Sequence, residues 1–193
     1  MRELALHIQD VVQNSLTAGA TLITIRIDES PLENRLKIVI TDNGSGIEAD
    51  RLQKVTDPFH TTRSSRKVGL GLSLFQAAAE RSGSEFAVAS EPGQGTIVTA
   101  VFRYDDIDRA PLGNIADTIL ALVLGNPRVD FCYNHQFETE SFTFDTRELD
   151  QFIPRSDLAI PLLAVKLREY LTSALGDLIG DLNGNSTSNF VSK

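Results

Sequence analysis

Three groups of residues in the first hundred positions have types and spacings that could do chemistry. His7, Asp10 and Asn14 are three and four residues apart, so they would share one face of a helix. There the Asn14 amide oxygen could ligate a hard cation such as Mg²⁺, and the Asp10 carboxylate could orient or deprotonate a water. A polar helix face is more often only solvated, so this spacing alone selects no function.

The second group is the run DNGSGI at residues 42–47. Asp42 has the same parity as Leu36, Ile38 and Ile40, which places its carboxylate on the inner face of a strand. A half-buried carboxylate needs donors, such as the exocyclic amino group of a purine, and the glycines would let a flat ring approach the backbone. A plain turn explains the run equally well. A dinucleotide-binding turn is disfavoured because only a short helix follows.

The third group is the run KVGLGL at residues 67–72, where a basic polar loop meets the start of a helix. Glycines at a helix N-terminus leave N–H groups that suit phosphate oxygens, and Arg63, Arg66 and Lys67 would add positive charge. The alternative is a glycine hinge beside a solvated loop. No Walker-type glycine–lysine motif occurs, which excludes the P-loop route to a nucleoside triphosphate.

Hydrophobic periodicity predicts an α/β chain, and the amino-acid composition changes after Tyr104. We expect a first domain at 1–103, a linker at 104–110, a small helix–hairpin–helix region at 111–180 and a disordered tail at 181–193. The predicted elements are a helix at 3–17, strands at 21–28 and 35–41, a mobile loop at 56–68, a helix at 70–81, strands at 85–90 and 95–103, a helix at 112–124, strands at 128–135 and 139–145, and a helix at 157–179.

Composition limits the function classes. The 193 residues are 41% hydrophobic and 23% charged, as in an ordinary globular protein, and the net charge of −8 disfavours a nucleic-acid partner. No apolar stretch is long enough for a bilayer span, and the lack of an export signal leads us to expect a cytoplasmic protein.

The single cysteine excludes an intramolecular disulfide. We interpret Cys132, three residues before His135, as a core thiol on a strand rather than a metal ligand.

Taken together, these motifs resemble the boxes of the GHKL ATPase superfamily, which includes DNA gyrase B, MutL, the sensor histidine kinases and the anti-sigma factor kinases. IQDVVQNSLTAGATLITI resembles the N box, most closely in its MutL form, and DNGSGI resembles the first glycine box. DPFHTTR is similar to the kinases' F box, VGLGLSL to their second glycine box, and GQGT at 93–96 to the closing Gly-Thr element. The resemblance covers residues 3–103.

The resemblance implies the Bergerat fold, a two-layer α/β sandwich with a mixed sheet, to which a small C-terminal α-β-β-α appendage would be added. It also implies that ATP binds between helices and sheet. Asn14 would ligate Mg²⁺, Asp42 would recognise the adenine amino group with support from Thr96, and Gly44 and Gly46 would shape the pocket. The further nucleotide contacts it implies are Ile47, Thr61, Thr62, Arg63, Lys67, Gly69, Leu70, Gly71 and Leu72, most of them within an ATP lid at 57–72.

One position departs from the superfamily pattern. Its hydrolysing members usually carry a glutamate base four residues before the N-box asparagine, and this chain has Asp10 there. The carboxylate is one methylene shorter, and a retreat of roughly one ångström can cost about 100-fold in rate. We therefore expect slow hydrolysis or transfer to a protein acceptor, with Asp10 as the catalytic residue and His7 in a structural role.

Because the chain begins at the N box, we expect a stand-alone module. The resemblance implies a Mg-ATP-binding protein kinase or ATPase in signalling, similar to histidine kinases or anti-sigma factor kinases, with a protein partner. The alternative is an ATP-gated protein-binding module with negligible catalysis, in which lid ordering exposes a surface for the partner.

Overall fold

The computed structural model describes residues 3–50, 52, 70–81 and 85–183, so the predicted loop at 56–68 and the tail lie outside the described residues. The helices are α1 (Leu4–Thr17), α2 (Leu70–Arg81), α3 (Ile115–Gly125), α4 (Thr146–Leu149) and α5 (Pro161–Asn183), with a 3₁₀ turn at Arg155–Ala159. The strands are β1 (Leu22–Ser30), β2 (Arg35–Asp42), β3 (Phe86–Glu91), β4 (Gly95–Arg103), β5 (Asp130–Phe137) and β6 (Glu140–Asp145).

The six strands form one mixed sheet in the order β3-β4-β2-β1-β5-β6. β1 and β5 are parallel, and the other neighbouring pairs are antiparallel. Ile23, Ile25 and Ile27 of β1 are buried on one face, whereas the residues between them are half-buried or exposed. The helices pack on the buried face, and α1 contacts both α2 and α3. The predicted two-layer α/β sandwich with a mixed sheet is therefore confirmed.

The predicted α-β-β-α elements are present in the C-terminal segment, where β5 and β6 extend the sheet. The same segment also contacts the start of α1. The backbone N–H of Leu4 donates to the Pro111 carbonyl, and that of Ala5 donates to the Leu112 carbonyl, both at 2.9 Å. These bonds satisfy donors that a helix N-terminus leaves open. The division into domains at 104–110 stays a prediction, but sheet and core continue across it.

Two helix starts differ from the predicted positions. α3 begins at Ile115 rather than at residue 112, because the Asn114 side chain caps it by accepting from the N–H of Asp117 at 3.0 Å. α5 begins at Pro161, and the preceding Ile160 is extended, as a residue before proline tends to be. The turn before Ile160 is therefore a separate 3₁₀ segment rather than part of α5.

α5 is the longest described helix and packs through one stripe. Leu167, Leu171, Leu175 and Leu178 are buried at helical spacing and belong to the main core. Within the described ranges, no helix combines the length and apolar character needed to span a bilayer.

A buried polar network joins the parallel strands β1 and β5. His135 Nε2 lies 2.7 Å from Glu29 Oε1, and His135 Nδ1 lies 2.7 Å from the Tyr133 hydroxyl oxygen. All three residues are buried on the inner face. Burial, together with the Glu29 carboxylate, raises the pKa of Tyr133 well above its usual value. The phenol is therefore protonated at neutral pH and can donate to the His135 ring.

Cys132 does not lie in the core with His135. Residues three apart on a strand point to opposite faces, and Cys132 is half-buried on the outer face of β5. The expected core position of this thiol is therefore wrong. The same geometry keeps Cys132 and His135 from sharing a ligand.

Candidate functional site

Asp42 occupies the last position of β2, on the face that the helices cover. Its side chain is 8% exposed, as its shared parity with the buried Ile38 and Ile40 predicts. The Ser15 hydroxyl of α1 donates to Oδ2 at 2.6 Å, and the Gly44 backbone N–H donates to Oδ1 at 2.9 Å. Each carboxylate oxygen therefore keeps a lone pair for a further donor.

The loop after β2 is held by hydrogen bonds to the α1–β1 turn and to the β3–β4 turn. The side-chain oxygen of Asn43 accepts from the backbone N–H of Thr21 and from that of the next residue, both at 2.9 Å. The N–H of Ser45 donates to the Ala18 carbonyl at 2.9 Å, and the Ser45 carbonyl accepts from the N–H of Gly93 at 2.8 Å. These bonds fix the backbone next to Asp42.

Gly44 and Gly46 lie where neighbouring atoms leave no room for a side chain. A Cβ on Gly44 would lie 2.9 Å from the Ala18 Cβ. Gly46 has a φ of +68°, and its Cβ would lie 2.0 Å from the Glu91 carbonyl oxygen. The loop can therefore lie against Ala18 only with glycine at position 44, and against the β3–β4 turn only with glycine at position 46. The role of both glycines in shaping a base pocket stays a prediction.

Gly95 brings β4 against the end of β2, and its replacement is a test of this packing. Its φ is +98°, and a Cβ there would lie 1.9 Å from the Asp42 carbonyl oxygen. We expect Gly95→Ala to lower the free energy of unfolding by about 3 kcal/mol or more, measured by urea denaturation.

Gly93→Ala is the matched control. Gly93 also has a positive φ, +77°, but a Cβ there would meet nothing within 4 Å. Its replacement should cost only the conformational strain, about 1–2 kcal/mol. Equal losses in the two variants would contradict a packing role for Gly95.

Thr96 and Ile47 reach the same corner of the sheet as Asp42. Thr96 is 9% exposed and is the cross-strand partner of Asp42 in the β2–β4 register. On its other side, Thr96 Oγ1 lies 3.0 Å from Ser90 Oγ of β3. The backbone N–H of Ile47 donates to the same Ser90 oxygen at 2.9 Å. The predicted site residues Asp42, Thr96 and Ile47 are thus held together by hydrogen bonds to Ser15 and Ser90.

The other end of the candidate site lies between α1 and the start of α2. Asp10 and Asn14 are half-buried on α1. A Cβ on Gly71 would lie 2.8 Å from the Asp10 Cβ, so the second glycine box packs against the side chain of the predicted catalytic residue. Leu70 begins α2. Leu72 is buried in the core, and its predicted contact with a nucleotide stays a prediction.

His7 packs within the helix layer. Its ring is 4% exposed and stacks on Phe75 of α2, with ring centroids 5.4 Å apart and an interplanar angle of 7°. This contact fits the structural role expected for His7. It also helps hold α1 against α2, which carries Gly71.

Thr61, Thr62, Arg63, Lys67 and Gly69 lie outside the described residues. Their predicted contacts with phosphate and the predicted lid stay predictions. The described part of the candidate site is built from α1, the start of α2, the ends of β2 and β3, and the beginning of β4.

Two residues that hold the site together, Ser15 and Ser90, were not predicted from their positions in the sequence. Ser15 lies four residues after Val11 on the buried stripe of α1. Ser90 shares its parity on β3 with Phe86 and Val88. A small polar residue at an inward-facing position was the signal available, since a buried hydroxyl needs a partner.

Sequence relatives among known proteins match part of the chain. A sensor-like histidine kinase of Rhizobium meliloti (strain 1021) is 35% identical over 86 residues, which cover 42% of this chain and 16% of that protein. The sensor histidine kinase ZraS of Escherichia coli (strain K12) is 39% identical over 64 residues, covering 33% of this chain and 14% of that protein. The match therefore spans only a small part of each of these kinases.

Solved structures agree on the fold. The N-terminal domain of a DNA repair protein aligns with a TM-score of 0.55 at 15% identity, covering 74% of this chain and 52% of that one. The Aquifex aeolicus MutL ATPase domain complexed with ADP aligns with a TM-score of 0.50 at 17% identity, covering 80% and 67%.

The family profile described as histidine kinase-, DNA gyrase B- and HSP90-like ATPase matches residues 2–106. This match takes in more than half of the chain, and it contains the motifs assembled around Asp42 and Asp10. The chain therefore belongs to the histidine kinase-, DNA gyrase B- and HSP90-like ATPase family.

Proposed function

We propose that this protein binds Mg-ATP and passes the γ-phosphoryl group to a protein side chain or, slowly, to water. It would act as a histidine-kinase-like or anti-sigma-like protein kinase or ATPase in cytoplasmic signalling. One observation carries the proposal: α1 contacts both ends of the candidate site. Ser15 bonds to Asp42, and Asp10 lies against Gly71. These two positions on α1 are about 7.5 Å apart along the helix axis.

The residues present fit a purine nucleotide with a magnesium ion. Asp42 keeps lone pairs on both oxygens for an exocyclic amino group, and Gly44 brings backbone close beside them. Asn14 has an amide oxygen, a ligand type that Mg²⁺ accepts, one helical turn after Asp10. When bound, Mg²⁺ neutralises phosphate charge and orients the phosphoryl group.

Asp10 is the proposed base. As the acceptor oxygen or nitrogen bonds to the γ-phosphorus, the bond from that phosphorus to the bridging oxygen breaks, ADP leaves, and the acceptor proton passes to the Asp10 carboxylate. The shorter aspartate side chain reaches less far toward a small water than a glutamate would. A protein acceptor, which brings its own atoms to the phosphate, is therefore favoured over water.

Two replacements on α1 separate catalysis from binding. We expect Asp10→Ala to reduce turnover of γ-labelled ATP by about 100-fold or more while the Kd for Mg-ATP stays unchanged, since general-base catalysis contributes factors of about 10²–10⁴. We expect Asn14→Ala to weaken ATP binding and remove its dependence on Mg²⁺. Calorimetry with and without Mg²⁺, together with assays of released phosphate and labelled partner, measures both effects.

Gln13→Ala is the matched control, because Gln13 is exposed on the same helix. It should change neither turnover nor binding. ATP binding without released phosphate or labelled protein over hours would rule out the enzyme and leave the ATP-gated binding module. No Mg-dependent ATP binding by the unaltered protein would rule out both.

A further inference from the structure

The Ser90 hydroxyl lies at the centre of a hydrogen-bond cluster next to the proposed adenine site. It donates to the Gly95 carbonyl at 2.8 Å and accepts from the Ile47 backbone N–H at 2.9 Å. Its third contact is Thr96 Oγ1 at 3.0 Å. A hydroxyl group has one hydrogen and two acceptor lone pairs. These three contacts therefore use its full capacity.

The direction of the Ser90–Thr96 bond follows from this count. A carbonyl oxygen can only accept, so the single Ser90 hydrogen is engaged by Gly95. The Ser90–Thr96 contact is then a hydrogen bond only if Thr96 donates. With its hydrogen directed at Ser90, the Thr96 oxygen has only lone pairs left for any other partner.

Asp42, the cross-strand neighbour of Thr96, also offers hydrogen-bond acceptors. A carboxylate oxygen accepts, and within the described part of the chain the Ser15 hydroxyl and the Gly44 N–H donate to Asp42. The Ser15 oxygen lies 2.6 Å from Asp42 Oδ2 but 3.4 Å from the Val11 carbonyl, so its hydrogen is directed at the carboxylate. Asp42 and its cross-strand neighbour Thr96 thus both present acceptors.

We propose that Ser90 is a positioning residue for base selection: by holding the Thr96 hydroxyl as an acceptor, it makes the site prefer a purine with an amino group at position 6 over one with a carbonyl there. This inference rests on the proposed function. Adenine offers N–H donors to the acceptors at this corner. Guanine offers a carbonyl oxygen, which would meet lone pairs on both Asp42 and Thr96, and an unmatched polar contact of this kind lowers affinity.

Ser90→Ala frees the Thr96 hydrogen, which can then turn toward a carbonyl of the bound base. We expect the unaltered protein to bind Mg-ATP more tightly than Mg-GTP, and Ser90→Ala to reduce this preference about tenfold, mainly through improved GTP binding. Calorimetry gives both dissociation constants. A purely structural loss, such as the missing partner of the Ile47 N–H, would weaken ATP and GTP alike and leave their ratio unchanged.

Two further variants show whether Ser90 acts through Thr96. In a Thr96→Val background there is no hydroxyl to orient, so Ser90→Ala should no longer change the ATP/GTP ratio. Ser90→Thr keeps a hydroxyl on β3 and should retain the preference of the unaltered protein. If Ser90→Ala does not fold, Ser90→Cys keeps the volume while weakening the hydrogen bonds, and the same comparison is made with it.

The outcomes separate this inference from the proposed function. If the unaltered protein binds ATP, but the ratio is the same in Ser90→Ala or changes equally in the Thr96→Val background, the role of Ser90 is overturned and the proposed function stands. If the unaltered protein binds neither nucleotide, both are overturned.

Discussion

Asp42→Asn is expected to weaken Mg-ATP binding about 100-fold while the protein stays folded. The amide keeps one acceptor oxygen but replaces the other with an NH₂ donor, which would face the Ser15 hydroxyl or the adenine amino group. Hydrogen bonds to a charged group contribute about 1.5–3 kcal/mol, which corresponds to roughly 10- to 150-fold in affinity. Titration calorimetry with Mg-ATP measures the loss.

Asp28→Asn is the control for this replacement. Asp28 lies on the outer face of β1 and pairs with Arg26 at 2.8 Å, so its replacement should not change nucleotide binding. Thermal unfolding of both variants verifies that each is folded. An unchanged Kd for ATP in folded Asp42→Asn would contradict a role for this carboxylate in recognising the base.

Glu29→Leu is expected to lower the free energy of unfolding by about 1–3 kcal/mol, because removing the acceptor of a buried hydrogen bond leaves its donor unsatisfied. The Glu29 and His135 side chains are 8% and 0% exposed and lie 2.7 Å apart. Without the carboxylate, His135 Nε2 has lost its acceptor inside the core. Urea denaturation, monitored by circular dichroism, measures the change.

The triple variant Glu29→Leu, Tyr133→Phe, His135→Leu provides the sharper comparison, because it also removes the buried Tyr133 hydroxyl that His135 contacts. Replacing every member of a buried polar network with apolar residues can be close to neutral, so the triple variant should recover much of the stability that Glu29→Leu loses. Asp28→Asn serves again as control, because its ion pair is on the surface and such pairs contribute little. A triple variant less stable than Glu29→Leu would contradict the unsatisfied-partner explanation.

Local patterns in the sequence were enough to predict most elements and the position of Asp42. The alternation that placed Asp42 with Leu36, Ile38 and Ile40 is a property of a single strand, and all four are buried. The start of α5 was predicted at residue 157, although the restriction that proline places on the preceding residue favours the observed start at Pro161. Such features need no knowledge of distant residues.

Pairing between distant segments could not be predicted in this way. Alternation showed that β5 has one buried face, but it did not show that β5 lies parallel to β1, more than one hundred residues earlier. The Glu29–His135 bond depends on that pairing, and the Ser90–Thr96 contact depends on the β3–β4 register. In the candidate site, motif residues were identified, whereas the hydroxyl groups that orient them came only from the three-dimensional arrangement.

The position of β1 in the sheet has a consequence for work with fragments. The family match ends at residue 106, but β1 is covered on one side by β5, which begins at Asp130. A fragment cut at the end of the match would leave the isoleucine-rich β1 as a bare edge with unpaired main-chain groups, a ready template for self-association. Expression boundaries for this chain are therefore better chosen beyond β6 than at the limit of sequence similarity.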